Sequence, residues 1–168
     1  MNGASHEVCL LLGSNIQPED NLPLAADRLR QHLTILKVSS VWETPAAAST
    51  GPNFLNAALL ARCALGADEL KQQVLRPLEA RLGRVRGADK NAPRPIDLDI
   101  ILFDGRLLDT ALWEQAHRAM PVAELLPGYR SSTGESLAQA ARRLAALTPI
   151  RLRGDVSIRY QGQDAPSR

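Results

Sequence analysis

The densest chemistry in the chain lies in Pro93-Arg94-Pro95-Ile96-Asp97-Leu98-Asp99-Ile100-Ile101-Leu102-Phe103. In a strand, positions i and i+2 share a face, so Asp97 and Asp99 project together while Ile96, Leu98 and Ile100 project to the other side. Two like charges side by side on an apolar strand repel, and a cation must offset them. Magnesium takes one or two carboxylates together with substrate phosphates, which suits such a pair. Arg76, Arg81, Arg84, Arg86, Lys90 and Arg94 crowd into the stretch around and before it. Arginine forks match phosphate oxygens, and phosphoryl transfer needs little beyond metal, cations and alignment. The bland alternative is an exposed acidic face neutralised by Arg84 and Arg94, and a bare Asp-x-Asp fits it better. Here the pair opens the most apolar strand of the chain, directly after the arginines. That placement favours magnesium held against a nucleoside triphosphate.

Composition narrows the partner. The chain has 168 residues, 45% hydrophobic and 23% charged, the make-up of one globular domain over residues 1–168. A net charge of +2 makes no bulk demand for a nucleic acid, and a local basic cluster suits a small phosphate-bearing molecule. No apolar run approaches the ~20 residues needed to span a bilayer. Met1–His6 lacks a basic region followed by an apolar stretch, so the expected compartment is the cytoplasm. The expected partners are small molecules, with no nucleic acid and no membrane, on a monomer or weak dimer. Cys9 and Cys63 have no metal-ligand spacing and sit in apolar runs, as buried small hydrophobes do.

The elements that must position the aspartates follow from pattern. Val8–Leu12 reads as a buried strand stopped by Gly13-Ser14-Asn15. Asp20 and Asn21 precede a helical face of Leu22, Leu24, Ala25, Ala26, Leu29 and Leu33. Ile35–Trp42 and Phe54–Ala64 read as strands, joined by a loop from Thr44-Pro45 to Gly51-Pro52. Ala67 to about Leu82 is a second helix, expected to kink or restart near Pro77 and to stop at Gly83. Ile96–Phe103 is the strand of the aspartates, closed by Asp104-Gly105. This βαββαβ order predicts an α+β sandwich of ferredoxin-like type, helices packed on one face of an antiparallel sheet, with C-terminal additions. Glu135–Leu147 reads as an amphipathic helix, Val156–Tyr160 as an added edge strand and 161–168 as a frayed tail.

With the elements in place, the motifs resemble a known family. Leu12-Gly13-Ser14-Asn15, Thr44-Pro45, Asn53-Phe54-Leu55-Asn56-Ala57, Leu78-Glu79, Leu82-Gly83-Arg84-Val85-Arg86, Pro93-Arg94 and Ile96-Asp97-Leu98-Asp99-Ile100 resemble 6-hydroxymethyl-7,8-dihydropterin pyrophosphokinase. The likeness runs from about Val8 to Pro127; each motif is weak alone, and the ordered set is specific. It implies a ferredoxin-like fold and transfer of the terminal diphosphate of ATP to the hydroxymethyl group of a reduced pterin, with release of AMP, in folate biosynthesis. It implies Asp97 and Asp99 as ligands of two magnesium ions, with Arg84 and Arg94 as catalytic cations. It implies ATP contacts at Glu79, Arg84, Arg86, Arg94 and Ile100, and a pterin pocket at Thr44, Pro45, Phe54 and Asn56. Phe54 suits stacking on a flat ring, and Asn56 suits a mixed donor and acceptor edge. The alternatives are a core Phe54, a strand-end cap at Asn56 and a plain turn at Gly13-Ser14-Asn15, and for the last the turn is preferred.

Beyond Gly105 the chain departs from that family. It lacks the family's Pro-His segment, and Arg106–Trp113 is a shorter connection. In the best register ahead of Met120-Pro121-Val122-Ala123-Glu124-Leu125, Gln115 stands at an arginine position and His117 at the aromatic that forms the second wall of the pterin pocket. Asn91 stands at or near a family tryptophan. Three readings follow: a pyrophosphokinase in which His117 stacks on the pterin and Arg118 or Arg106 supplies the lost cation; a paralogue transferring phosphate or diphosphate to another alcohol; or a non-catalytic nucleotide- or pterin-binding module. The retained Asp97, Asp99, Arg84 and Arg94 argue against the third, since a pure binding module has no need of paired metal carboxylates, and the readings rank in that order. Pro45–Pro52 and Gly87–Pro93 are expected to close over the site as flaps and exclude water.

Overall fold

Val8–Leu12 is apolar at every position because it is buried on both faces of a sheet. The computed structural model of the chain describes residues 3–46 and 51–159 and places this run in β1 (His6–Ser14). β1 pairs antiparallel with β4 (Phe54–Cys63) on one side and β5 (Asp97–Phe103) on the other. β4 then pairs with β2 (Thr34–Val38) and β3 (Trp42–Thr44). The short β6 (Arg106–Leu107) extends β5, and β7 (Arg151–Leu152) extends β3. Among the described residues the sheet order is β6-β5-β1-β4-β3-β7, with β2 also on β4. Its core order of last strand, first strand, third and second is the ferredoxin-like α+β arrangement expected from the element order.

Val8, Leu10 and Leu12 face a first core under α1 (Pro18–Leu29) and the second helical segment. Cys9 and Leu11 face a second core under α4 (Ala116–Leu125) and α5 (Leu137–Ala145). Helices on one face only is therefore a reading to correct: the C-terminal third supplies a helix pair for the other face. The reason is α5, whose apolar positions Leu137, Ala140, Ala141 and Leu144 recur at helical spacing behind a Ser136–Gln139 capping box.

Details of the elements depart from pattern for local reasons. α1 begins at Pro18, earlier than Asp20, because proline is favoured in a first turn; Leu24 is exposed and Leu33 lies past the helix end. The strand expected over Ile35–Trp42 breaks at Ser39, which takes over the ladder itself: its N–H donates to Ala58 O, and its Oγ accepts the Ala58 N–H at 2.8 Å. The second helical segment runs as α2 (Ala67–Leu70), a π-helical turn (Lys71–Leu75) and α3 (Arg76–Arg81). The Arg76 N–H closes the wide turn on Lys71 O, and Pro77 falls in the first turn of α3, where no N–H is required. Gly83, at φ 95°, ends it.

The added edge strand is β7, not Val156–Tyr160. Val156 and Ile158 are buried in the first core without joining the sheet, and Tyr160 and the expected tail at 161–168 lie outside the described residues. Cys9 and Cys63 are buried free thiols, and burial raises that of Cys9 to about 12. No helix of the described residues is long and apolar enough to cross a membrane.

Candidate active site

Asp97 and Asp99 stand at the head of β5, paired across β1 with Gly13 and Leu11. Gly13 in turn pairs with Asn56 of β4, and Asn56 with Trp42 of β3. One row across the sheet thus carries a carboxylate, a glycine and an amide on the same face. A Cβ at Gly13 would sit 3.0 Å from Asn56 Oδ1, so glycine here lets the amide lean toward the aspartates. The strict alternation Asp97, Asp99 against Leu98 and Ile100 holds at this end of β5. It fails further on, where a bulge against Cys9 and Leu10 turns both Ile101 and Leu102 into the second core.

These residues form one wall of a cavity of about 200 Å³. Along that wall, Thr44, Pro45, Phe54 and Asn56 line the β3–β4 end, and Arg94, Asp97 and Asp99 the β5 end. His117 and Arg118 close it from α4, while Lys90 and Asn91 approach from the loop between α3 and β5. Asn56 Nδ2 donates to Thr44 Oγ1 at 3.3 Å, and the Arg94 guanidinium lies 5.9 Å from the centre of the Phe54 ring. His117 is a neutral ring, because burial, and then the Arg118 charge, push its pKa down to about 4. Arg106, exposed on β6, is not part of this wall.

The two aspartates are electrostatically unequal. Arg84 Nη1 donates to Asp97 Oδ1, and Arg94 Nη1 to Asp97 Oδ2 at 3.0 Å. Burial pushes Asp97 up, but the two guanidinium groups outweigh it and hold the carboxyl below its ordinary value. Among the described residues, the cation paired with Asp99 is Arg118, through Nη1 at 3.5 Å. Burial and the Asp97 charge push Asp99 above its ordinary value, against a partial offset from Arg118. A carboxylate pair left half-compensated in this way fits a divalent cation shared with an anionic ligand. Among the described residues, no group of three or more His, Cys, Asp or Glu is placed to hold a metal by itself.

The sequence-predicted residues do not all meet in the cavity. Glu79 is only 2% exposed and binds protein: the Arg76, Arg86 and Arg84 guanidinium groups surround it at 2.9, 2.7 and 3.7 Å. Arg84 and Arg86 border an adjacent groove with Lys71 and Arg76, and Ile100 borders another along the open edge of β5. Of the two expected flaps, Gly87–Pro93 carries Lys90 and Asn91, whereas residues 47–50 of the other lie outside the described residues.

Asn15 is where the preferred reading, a plain turn, falls short. It is buried, its Nδ2 donates to Pro52 O at 3.2 Å, and its Oδ1 accepts the Arg94 N–H at 2.8 Å. One side chain ties together the two segments that flank the cavity. No sequence pattern marks Asp109 as a site residue; it caps a 3-10 turn (Thr110–Trp113) and pairs with Arg118 at 3.0 Å. Its only sequence signal is the Asp-Thr pair of a helix start.

Residues 9–127 match the family described as 7,8-dihydro-6-hydroxymethylpterin-pyrophosphokinase (HPPK). The chain belongs to the HPPK family. Among its relatives, the 2-amino-4-hydroxy-6-hydroxymethyldihydropteridine pyrophosphokinase of Bacillus subtilis is 34% identical over 128 residues, covering 69% of this chain and 75% of that one. The enzyme of the same name from Pseudomonas aeruginosa is 30% identical over 142 residues, covering 77% and 86%. The mitochondrial folate synthesis bifunctional protein of Arabidopsis thaliana is 36% identical over 138 residues, 75% of this chain but only 24% of that protein. The chain therefore spans about a quarter of that plant relative. The HPPK fold is also found by shape: a crystal structure of Plasmodium falciparum HPPK-DHPS with pteroate superposes with a TM-score of 0.68 at 9% identity, covering 87% of this chain and 43% of that one.

Proposed function

We propose that the chain, acting as one domain, transfers the terminal diphosphate of ATP to the hydroxymethyl group of 6-hydroxymethyl-7,8-dihydropterin and releases AMP. The observation that carries this reading is the shared cavity, lined by Asp97, Asp99 and Arg94 toward β5 and by Phe54, Asn56 and Thr44 toward β3 and β4. A flat heterocycle and a polyphosphate would meet there.

In the proposed reaction the substrate hydroxyl oxygen attacks the β-phosphorus of ATP. The bond from that phosphorus to the oxygen bridging it to the α-phosphorus breaks, AMP carries away the electron pair, and the hydroxyl proton passes to solvent. Asp97 and Asp99 would hold magnesium, two ions by the family likeness, which supplies charge neutralisation on the phosphates. Arg84 and Arg94, already drawn into the site by Asp97, face charge that grows on the departing phosphate. Phe54 offers a ring face, and Asn56, oriented by Thr44, offers an amide for the pterin edge. His117, uncharged at neutral pH, is suited to stack on a pterin rather than to pair with phosphate. Asn15 keeps the segments at Pro52 and Arg94 in register, which limits water entry. We place the reaction in the cytoplasm, on a monomer or weak dimer.

The test is incubation with MgATP and the dihydropterin, followed by chromatography of the nucleotides. AMP formed only with the pterin supports the reading. ADP formed without it points to a kinase acting on another alcohol. Magnesium-dependent ATP binding without turnover moves the assignment to another acceptor. His117→Ala tests the second wall of the pocket, and unchanged pterin affinity would remove His117 from it.

A further inference from the structure

The guanidinium of Arg118 stands between carboxylates from two different elements. Its Nη1 lies 3.0 Å from Asp109 Oδ2 and 3.5 Å from Asp99 Oδ2, and its Nε donates to Gln115 Oε1 at 2.8 Å. The Asp109 contact is a close ion pair, and the longer one to Asp99 has hydrogen-bond geometry at the distance limit. Asp109 is itself held, since its Oδ1 accepts the Ala111 N–H at 3.1 Å. Arg118 is therefore held by a close ion pair to Asp109 and a hydrogen bond to Gln115, and it reaches Asp99 through a long hydrogen bond. These contacts engage Nε and Nη1, leaving Nη2 for an oxygen entering the cavity that Arg118 lines.

Charge makes that placement matter. Arg84 and Arg94 are both committed to Asp97, one to each oxygen. A polyphosphate reaching the Asp99 side needs a cation there, and among the described residues Arg118 is the one whose guanidinium meets Asp99. We propose that Arg118 is a third triphosphate-binding cation of this site, and that Asp109 is a positioning residue that holds it beside Asp99 without surrendering Asp99 to it. When a metal takes Asp99, the guanidinium stays in the cavity on Asp109. The proposal rests on the pyrophosphokinase reading above.

The experiment is calorimetric titration of the full chain with α,β-methylene-ATP, which cannot be cleaved at the reacting bond, across a range of magnesium concentrations. Arg118→Ala should weaken analogue binding at saturating magnesium by about 10- to 100-fold, the range of one charge-assisted hydrogen bond. Arg118→Lys should recover part of that loss. Asp109→Ser keeps a capping oxygen for the 3-10 turn but removes the charge. It should raise the magnesium concentration needed for half-maximal analogue binding several-fold, because Arg118 then keeps Asp99 as its carboxylate partner. Asp109→Asn serves if the serine variant fails to fold.

The double variant Arg118→Ala/Asp109→Ser restores the net charge. If it also restores wild-type affinity, the single loss came from an unbalanced Asp109, and the phosphate role is overturned. Unchanged analogue binding in Arg118→Ala overturns it as well, and an unchanged magnesium midpoint in both Asp109 variants overturns the positioning role. If the wild type forms AMP with the pterin while Arg118→Ala binds the analogue normally, this inference fails alone. If the wild type forms none while Arg118→Ala shows the expected loss, the pterin reading fails and the triphosphate site stands.

Discussion

Glu79 accepts the backbone N–H of Leu98 at 2.9 Å, from a position almost wholly closed to solvent. Leu98 lies between the two aspartates on an open edge of β5, where β6 pairs only with Leu102 and Phe103. A carboxylate from α3 thus stands in for a missing neighbour strand and fixes the segment that carries Asp97 and Asp99. The same carboxylate gathers Arg76, Arg84 and Arg86. Glu79→Ala should cost about 3–5 kcal/mol of stability, the range for breaking a buried charge pair. Glu79→Gln keeps an acceptor for Leu98 and should fall between it and the wild type. Urea unfolding measures both, and turnover should decline in the same order. Normal stability with weakened ATP binding would instead make Glu79 a direct ligand contact.

The two aspartates should separate in stability while agreeing in activity. Asp97 compensates two mostly buried arginines, so Asp97→Asn should destabilise by about 1–3 kcal/mol. Asp99 carries a burial cost and a repulsion that Arg118 only partly offsets, so Asp99→Asn should leave stability unchanged or slightly raised. Both should reduce AMP formation to background. The pH dependence follows. The depressed Asp97 stabilises above the ordinary value of 3.8 and loses that contribution as pH falls through its folded pKa. The raised Asp99 does the opposite, destabilising above its folded pKa and ceasing to do so as the pH falls through it. Thermal melts of the two variants across acid pH should therefore diverge from the wild type in opposite senses.

Asn15→Leu removes both side-chain bonds from a buried site of similar volume. It should cost about 2–4 kcal/mol, one unsatisfied backbone group at each of Pro52 and Arg94. Asn15→Asp keeps the acceptor for the Arg94 N–H and loses only the donor to Pro52, so it should lose less. If the clamp matters for the cavity, both variants should raise KM for the pterin more than that for ATP. Equal effects on the two would limit Asn15 to stability.

Much of this architecture was legible because it depends on local pattern. The apolar run Val8–Leu12, the alternation around Asp97 and the Pro77 restart each carry a strong short-range signal. What escaped depends on long-range partners. The second helical layer is written in α5, but nothing local says which sheet face it covers. Asn15 reads as a turn because its Arg94 partner lies 79 residues away, and the Glu79 bond to Leu98, across 19 residues, has no local signal. Asp109 and Arg118 have meaning only once α4 folds back over the sheet and brings Arg118 to Asp99.

His117 offers a prediction in which the sign of the pH effect decides. Burial holds the ring neutral with a pKa of about 4, below the ordinary 6.5. As pH falls from 6.5 toward 4, the unfolded chain takes up a proton that the folded chain refuses. Stability should therefore decline with acid over that window, by up to about 1.4 kcal/mol for each pH unit from this group. His117→Gln should flatten that part of the stability–pH curve, measured by urea unfolding at fixed pH steps. Pterin binding should show no transition attributable to this ring between pH 6 and 8, because its charge does not change there. A titration of the His117 ring protons by NMR with a midpoint near the ordinary value would mean that the ring is solvated, and would remove it as an uncharged wall of the cavity.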